Sequence, residues 1–253
     1  MASAYYVYAI LPRETCLPPG LTGFGGAALS IVPCGVLAAA TSRVDLGGIQ
    51  PTTEYVLHHA AIVEELRKRG SVLPVRFGTV LPDADAVVGV LAKHSTILEA
   101  EMARLGDKVE LGLTVLWSQS LDDDEESGGD NDTPAAGQVT QAQGAGARYL
   151  QARLAKHRRE ARAQMRARAL ARDLDTLLSP YVLEHRLAIL STPRLPVRAS
   201  YLLDPARVQG FQETFEGLRR MHPDLRFLLS GPWPPYSFVK SLETADQSVI
   251  GGR

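Results

Sequence analysis

Three prolines, Pro232, Pro234 and Pro235, stand within four positions near the carboxyl end of this chain, and three aromatic residues, Trp233, Tyr236 and Phe238, interleave with them. Each proline fixes φ and removes a backbone donor, so the segment from Ser230 to Phe238 is excluded from helix interiors and from inner strands. What remains open to it is a stiff, polyproline-like strap that pins aromatic rings against a surface, either of its own domain or of a partner.

The rest of the chain supplies ample material for packed cores: 253 residues, 45% of them hydrophobic, suffice for one large domain or two ordinary ones. A formal charge of −1 argues against a general nucleic-acid binder, which carries a basic excess. That average conceals two opposed blocks, since residues 122–132 are acidic and residues 148–172 strongly basic. The first residues do not read as a secretion signal, and no run is long and apolar enough to span a bilayer. With Cys16 in a loop and Cys34 in a turn, the reading is two reduced thiols and a cytosolic protein.

Hydrophobic periodicity gives an α+β fold in two parts. Residues 5–11 form a strand, and 29–32 pairs with 36–42 as a hairpin around Pro33-Cys34-Gly35. Thr52 or Thr53 caps a helix to about Arg69, with Val56, Ala60, Val63 and Leu66 on its apolar face and Gly70 ending it. A strand over 72–80 follows, then a helix from Asp83 or Asp85 to Leu105, closed by Gly106. We place the N-terminal α+β domain at 1–106. Residues 107–253 open with an alternating strand, 108–117. An acidic, then Gly-, Ala-, Gln- and Thr-rich stretch over 118–146 reads as a disordered insertion. A long helix over 147–178 comes next, with Tyr149, Leu150, Leu154, Met165, Ala169, Leu170, Leu174 and Leu177 as a discontinuous stripe. Strands at 184–190 and 197–203, a helix over 205–221 capped by Asp204, and a strand at 225–229 complete the split βαβ pattern of a ferredoxin-like domain. Residues 230–253 are the strap and a polar tail.

Chemistry is sparsely written. The chain has no P-loop, dinucleotide fingerprint, nucleophile elbow or HExxH, and Gly23-Phe24-Gly25-Gly26 precedes a strand where phosphate binding requires a following helix. His58 and His59 stand about 100° apart on a helix and cannot both aim at one metal, so one is expected at the domain boundary and the other in solvent. No catalytic residue, cofactor or metal site is assigned. Arg76-Phe77-Gly78 is the more pointed sequence, because a charge within an apolar strand needs a partner if buried. Glu110 is the expected partner, and Arg76 then either ties the domains together or meets another protein. Gly78 allows a bulge or the close approach of a neighbouring chain. The basic helix has no aromatic interleaving to stack bases; its expected use is docking to an acidic surface or association with the 122–132 run, the alternative being a ligand- or nucleic-acid-binding module.

Several motifs in order carry a family resemblance. Gly231–Phe238 (GPWPPYSF), Tyr6–Ile10 near the start, Leu73–Thr79 (LPVRFGT), Val109–Gly112 and Ala147–Leu150 together resemble the gas vesicle protein F/L family over nearly the whole chain. The resemblance implies a smaller α+β domain followed by a modified ferredoxin-like one. It also implies a non-enzymatic accessory or minor structural protein of the gas vesicle, supporting nucleation and assembly or standing on the gas-facing surface of the shell. Its implied partners are the major shell protein and other accessory proteins, with no nucleic acid and no membrane. The candidate contact or interface-shaping residues are Arg76, Phe77, Gly78, Glu110, Trp233, Pro235 and Tyr236.

Overall fold

The computed structural model describes residues 3–45, 51–117, 145–190 and 196–240. The expected insertion, apart from its last residues, and the polar tail lie outside the described residues. Contacts group Met1–Glu110 with Leu202–Pro205 and Gly231–Arg253 as one unit, and Leu111–Tyr201 with Ala206–Ser230 as a second. The sequence reading divides the chain once, at 106/107; the contact units interleave.

The first unit is built on β1 (Ser3–Pro12), β2 (Leu29–Cys34) and β3 (Leu37–Asp45), in the order β2-β3-β1. The short strands β4 (Leu73–Pro74) and β5 (Val80–Leu81) both pair antiparallel with β1. The expected hairpin forms around Gly35, with Cys34 opposite Leu37. Strand β1 is buried on both faces, and a shift in its pairing with β3 between Val7 and Ala9 resets the alternation of its side chains. Tyr6, Tyr8 and Leu11 therefore face α1 (Thr53–Arg67) and its Ile62, Val63 and Leu66, while Val7 and Ile10 face α2 (Ala84–Lys93) and α3 (Ser95–Leu105) through Val87, Leu91, Leu98 and Leu105. Each such aliphatic side chain contributes about 1.5–3 kcal/mol on burial.

Three expectations change here. The apolar face of α1 runs through His59, Ile62, Val63 and Leu66, and Val56 is exposed, because the helix turns a histidine inward. The strand over 72–80 is interrupted: Val75 to Thr79 leave the ladder as a turn. The helix over 83–105 breaks at His94, whose φ of −113° and ψ of 13° end one helix and start the next.

The second sheet contains β6 (Val109–Trp117), β7 (Glu184–Ile189), β8 (Val197–Leu203) and β9 (Leu225–Trp233), in the antiparallel order β7-β8-β6-β9. With α4 (Ala145–Leu178) after β6 and α5 (Val208–Met221) after β8, this is the split βαβ arrangement. On α5, Phe211, Phe215 and Leu218 recur at i, i+4, i+7 and are buried. A 3-10 turn, Pro205–Arg207, precedes α5, and Asp204 receives the Lys108 ammonium at 2.9 Å. Strand β9 runs four residues past its expected end, into the proline segment; this is tolerated because β9 is an edge strand. The stripe on α4 is also revised. Among its described side chains Ala167, Leu170, Ala171, Leu174 and Leu178 are buried, whereas Tyr149, Leu150, Leu154 and Met165 are more than half exposed, so the buried part is the last third of this helix.

Candidate functional site

The LPVRFGT segment is a turn fastened from inside the first unit. Leu73 and Pro74 are buried against β1, and the Val75 N–H donates to the Tyr8 carbonyl at 3.1 Å. Thr79 closes the turn, its Oγ1 donating to the Arg76 carbonyl at 2.8 Å, and its own carbonyl accepts from the Val7 N–H at 3.0 Å. Gly78 has φ of +87°, the left-handed region in which a side chain is strained, and nothing stands within 4 Å of an added Cβ. Within this chain its requirement is backbone conformation; the sequence offered a bulge or the close approach of a neighbouring chain.

Two buried polar side chains hold both ends of that turn. The Gly78 N–H donates to Tyr6 Oη at 2.9 Å, and the Tyr6 hydroxyl lies 2.9 Å from His59 Nδ1. His59 Nε2 stands 3.0 Å from the Val75 carbonyl. A carbonyl only accepts, so Nε2 carries the proton and Nδ1 accepts from Tyr6. His59 is 2% exposed, and burial lowers its pKa to about 4 against the opposing pull of the Val75 carbonyl, so the ring is neutral. Burial also pushes the Tyr6 phenol far above its ordinary range, though the Gly78 bond works against it. Phe77, Phe24 and Tyr8 complete the aromatic packing around Tyr6 and His59. The Tyr8 hydroxyl bonds Ser42 Oγ at 2.9 Å and accepts from the Phe24 N–H at 3.1 Å, and Gly23 is needed beside it because a Cβ there would meet both hydroxyls at 2.5–2.6 Å. His59 thus lies in the core of the first unit, while His58 is exposed; the expected boundary histidine is a core histidine.

The strap is fastened as firmly, by carboxylates. Glu110, 7% exposed, accepts from the Ser237 N–H at 2.8 Å and the Ser237 hydroxyl at 2.6 Å. Glu101, 3% exposed, accepts from the Lys240 N–H at 3.3 Å and from Arg104 at 2.8 Å, and Arg104 also donates to the Phe238 carbonyl at 3.0 Å. Burial works to raise the Glu101 carboxyl, but hydrogen bonds and charge from Arg104 and Lys240 override it and hold the group below its usual range. Phe238 is 1% exposed among Val87, Leu91 and Leu98, and Tyr236 packs beside His59 with their rings 6.2 Å apart. Pro234 and Pro235 are buried, whereas Trp233 is 45% exposed. The peptide between Gly231 and Pro232 is cis.

Of the residues singled out in the sequence, Phe77, Gly78, Glu110, Pro235 and Tyr236 thus build the first unit, and Arg76 and Trp233 present their side chains outward. The expected Arg76–Glu110 pair is not formed: the turn exposes Arg76, and Glu110 holds Ser237. Sequence reasoning passed over Tyr6, His59, Glu101 and Ser237 as fasteners. Glu101 was detectable as a charge in phase with Leu98 and Leu105 on an apolar helix face. Among the described residues, no group of three or more His, Cys, Asp or Glu could hold a metal ion, and no helix is long and apolar enough to cross a membrane. A pocket of about 350 Å³ is lined by Ser3, Phe24, Arg43, Asp45 and Tyr55 among others.

These features define an α+β protein of two antiparallel sheets whose signature segments are welded into its own framework. Residues 4–240 match the family model described as gas vesicle synthesis protein GvpL/GvpF, and the chain belongs to that family. It is 30% identical to gas vesicle protein L of Streptomyces sp. (strain CB03234), with 92% of each chain covered. It is 29% identical to gas vesicle protein F of the same strain, covering 93% of this chain and 99% of that one. The fold is that of the crystal structures of GvpF from Anabaena sp. PCC7120 (TM-score 0.76, 17% identity, 94% and 97% of the chains covered) and from Microcystis aeruginosa (TM-score 0.71, 17% identity, 93% and 98% covered). Membership implies a role in gas vesicle formation and association with other gas vesicle proteins.

Proposed function

We propose that the chain works by binding, as an accessory or minor structural protein that holds the apolar shell subunit while the gas vesicle nucleates and grows. The observation that carries this reading is the division of labour within the two signature segments. Most of their residues fasten backbone to core, leaving the Arg76 guanidinium and the Trp233 indole presented to solvent. An arginine and a tryptophan are the side chains most often found at the centre of protein interfaces. The second sheet adds an edge: β7 ends the ladder, and its residues are mostly exposed, which suits pairing with an extended apolar segment.

The test is capture of the shell subunit by the full chain and by Arg76→Ala and Trp233→Ala variants. Each variant is expected to lose about tenfold in affinity, the usual effect of truncating an interface anchor. Equal capture by wild type and both variants, all folded, would remove these residues from the interface. Co-purification with intact vesicles tests retention, since a protein that leaves after nucleation travels only with soluble shell-subunit complexes.

A further inference from the structure

We infer that the outer edge of β7 pairs antiparallel with β7 of a second copy of this chain, about a two-fold axis through His185. The inference does not rest on the proposed capture of the shell subunit; the edge accepts one strand at a time, so self-pairing describes the protein on its own. An open edge offers a row of backbone donors and acceptors to any extended chain, and proteins blunt such edges with prolines or by keeping them short. The described strands at the other sheet ends follow that rule: β2 carries Pro33, β4 carries Pro74, β9 carries Pro232, and β5 is two residues long. Strand β7 is six residues long with neither proline nor lysine, and all of them but Leu187 are exposed.

The direction of its backbone groups is set by β8. The Leu190 N–H donates to the Pro196 carbonyl at 2.9 Å, which puts Arg186 opposite Ser200 and His185 opposite Tyr201 along the antiparallel ladder. The His185 and Tyr201 rings lie 6.4 Å apart, in keeping with that register. Alternate residues then bond to β8, Glu184, Arg186 and Ala188 among them, whereas His185 and Leu187 turn N–H and C=O to the outer edge. His185 Nε2 is 3.5 Å from Asp175 on α4, so Glu184 and Arg186 project from the face away from that helix. A second β7 must match outward residues with outward residues, which leaves two-fold registers centred on His185, Arg186 or Leu187. Centring on Arg186 sets the two arginines against each other, and centring on Leu187 sets Arg186 against Ala188. Centring on His185 sets Glu184 of each copy against Arg186 of the other, in the non-hydrogen-bonded positions where facing side chains are closest. His185 then exchanges backbone hydrogen bonds with its counterpart, and Leu187 meets the 43%-exposed Leu183 of the second copy. The sequence Leu183-Glu184-His185-Arg186-Leu187 is thus complementary to itself. One strand pair makes a small interface, so the dimer is weak and depends on concentration.

The test is sedimentation of the purified full chain, without shell subunit, between about 5 and 300 µM, the range in which small interfaces associate. The average mass of the wild type is expected to rise from 27.4 kDa towards twice that value. Glu184→Arg alone and Arg186→Glu alone should each associate about tenfold more weakly, because each sets like charges opposite one another at two positions of the dimer. An equimolar mixture of the two variants should recover wild-type association, since each then meets the opposite charge. A second readout needs no variant: in wild type the His185 and Leu187 amides should gain protection from hydrogen exchange as concentration rises, while those of Arg186 and Ala188, bonded to β8, stay protected throughout. A mass fixed at 27.4 kDa over the whole range would overturn the inference. So would association that both single variants retain, a mixture of folded variants that fails to recover it, or His185 and Leu187 amides indifferent to concentration. None of these outcomes bears on shell capture, which is measured separately with the subunit present.

Discussion

The strap of the first unit and the outward half of α4 are opposite solutions to placing charge. In the strap, Glu101 and Glu110 are almost fully buried, and their oxygens are saturated by Ser237, Arg104 and the Lys240 amide. On α4 the charges stand in water at helical spacing with few described partners. Buried, satisfied carboxylates impose one geometry, because leaving any member unpaired costs more than the bond contributes. Exposed arginines leave a surface that salt and partners can adjust. Rigidity and responsiveness are thus separated along the chain, and a single mutational ladder can probe the separation.

The largest expected effect is on the strap's anchor. Phe238→Ala empties a 1%-exposed site and should cost about 3–5 kcal/mol, measured as the chemical-denaturation midpoint of the first unit. If the loss falls below about 1 kcal/mol, the strap is an attachment and not part of the core. Next comes its carboxylate latch: Glu110→Gln replaces a charged acceptor for two Ser237 donors and should cost about 1.5–3 kcal/mol, with faster exchange of the Ser237 amide.

Protonation of His59 should have a similar effect. Its folded pKa of about 4 lies below its ordinary value of 6.5, so the unfolded chain binds the proton more tightly. Stability from the neutral ring is complete above about pH 6.5, falls through the interval down to about pH 4, and levels off below it. The expected loss is about 3 kcal/mol, and a His59→Gln variant, already less stable at neutral pH, should lack this component of the pH profile. An unchanged profile would mean that His59 is not held neutral by its site. The smallest stability effect belongs to the outward residues: Arg76→Ala and Trp233→Ala should each shift stability by no more than about 0.5 kcal/mol in thermal melts. A large loss would move these residues from the responsive class into the rigid one.

Much of the architecture was legible from particular patterns. The β2–β3 hairpin followed from Pro33-Cys34-Gly35 between β-branched runs, the start of α1 from Thr52 or Thr53, of which Thr52 is the cap, and the strand-helix-strand-strand-helix-strand order of the second sheet from its periodicity. Errors arose where a local pattern was read without its neighbours. Val72 to Val80 has the composition of a strand, but the turn is imposed by Tyr6 and His59, each distant in sequence. The apolar residues of α4 look like a core stripe, yet the buried ones among its described side chains fall in the last third of the helix. Arg76 and Glu110 are plausible partners by charge, but Ser237, 127 positions from Glu110, takes the carboxylate.

By itself the sequence determined the class of fold, the family, and the fact that the proline–aromatic segment could be neither helix nor inner strand, because proline geometry and hydrophobic period are local properties. Tertiary structure alone decided which signature side chains were consumed. Hydrogen bonds across 72 residues from Gly78 to Tyr6, and across 127 from Ser237 to Glu110, turn most of both motifs into framework and leave Arg76 and Trp233 facing out. Burial and pairing are properties of the packed chain, and they separate a residue that builds the molecule from one that the molecule presents.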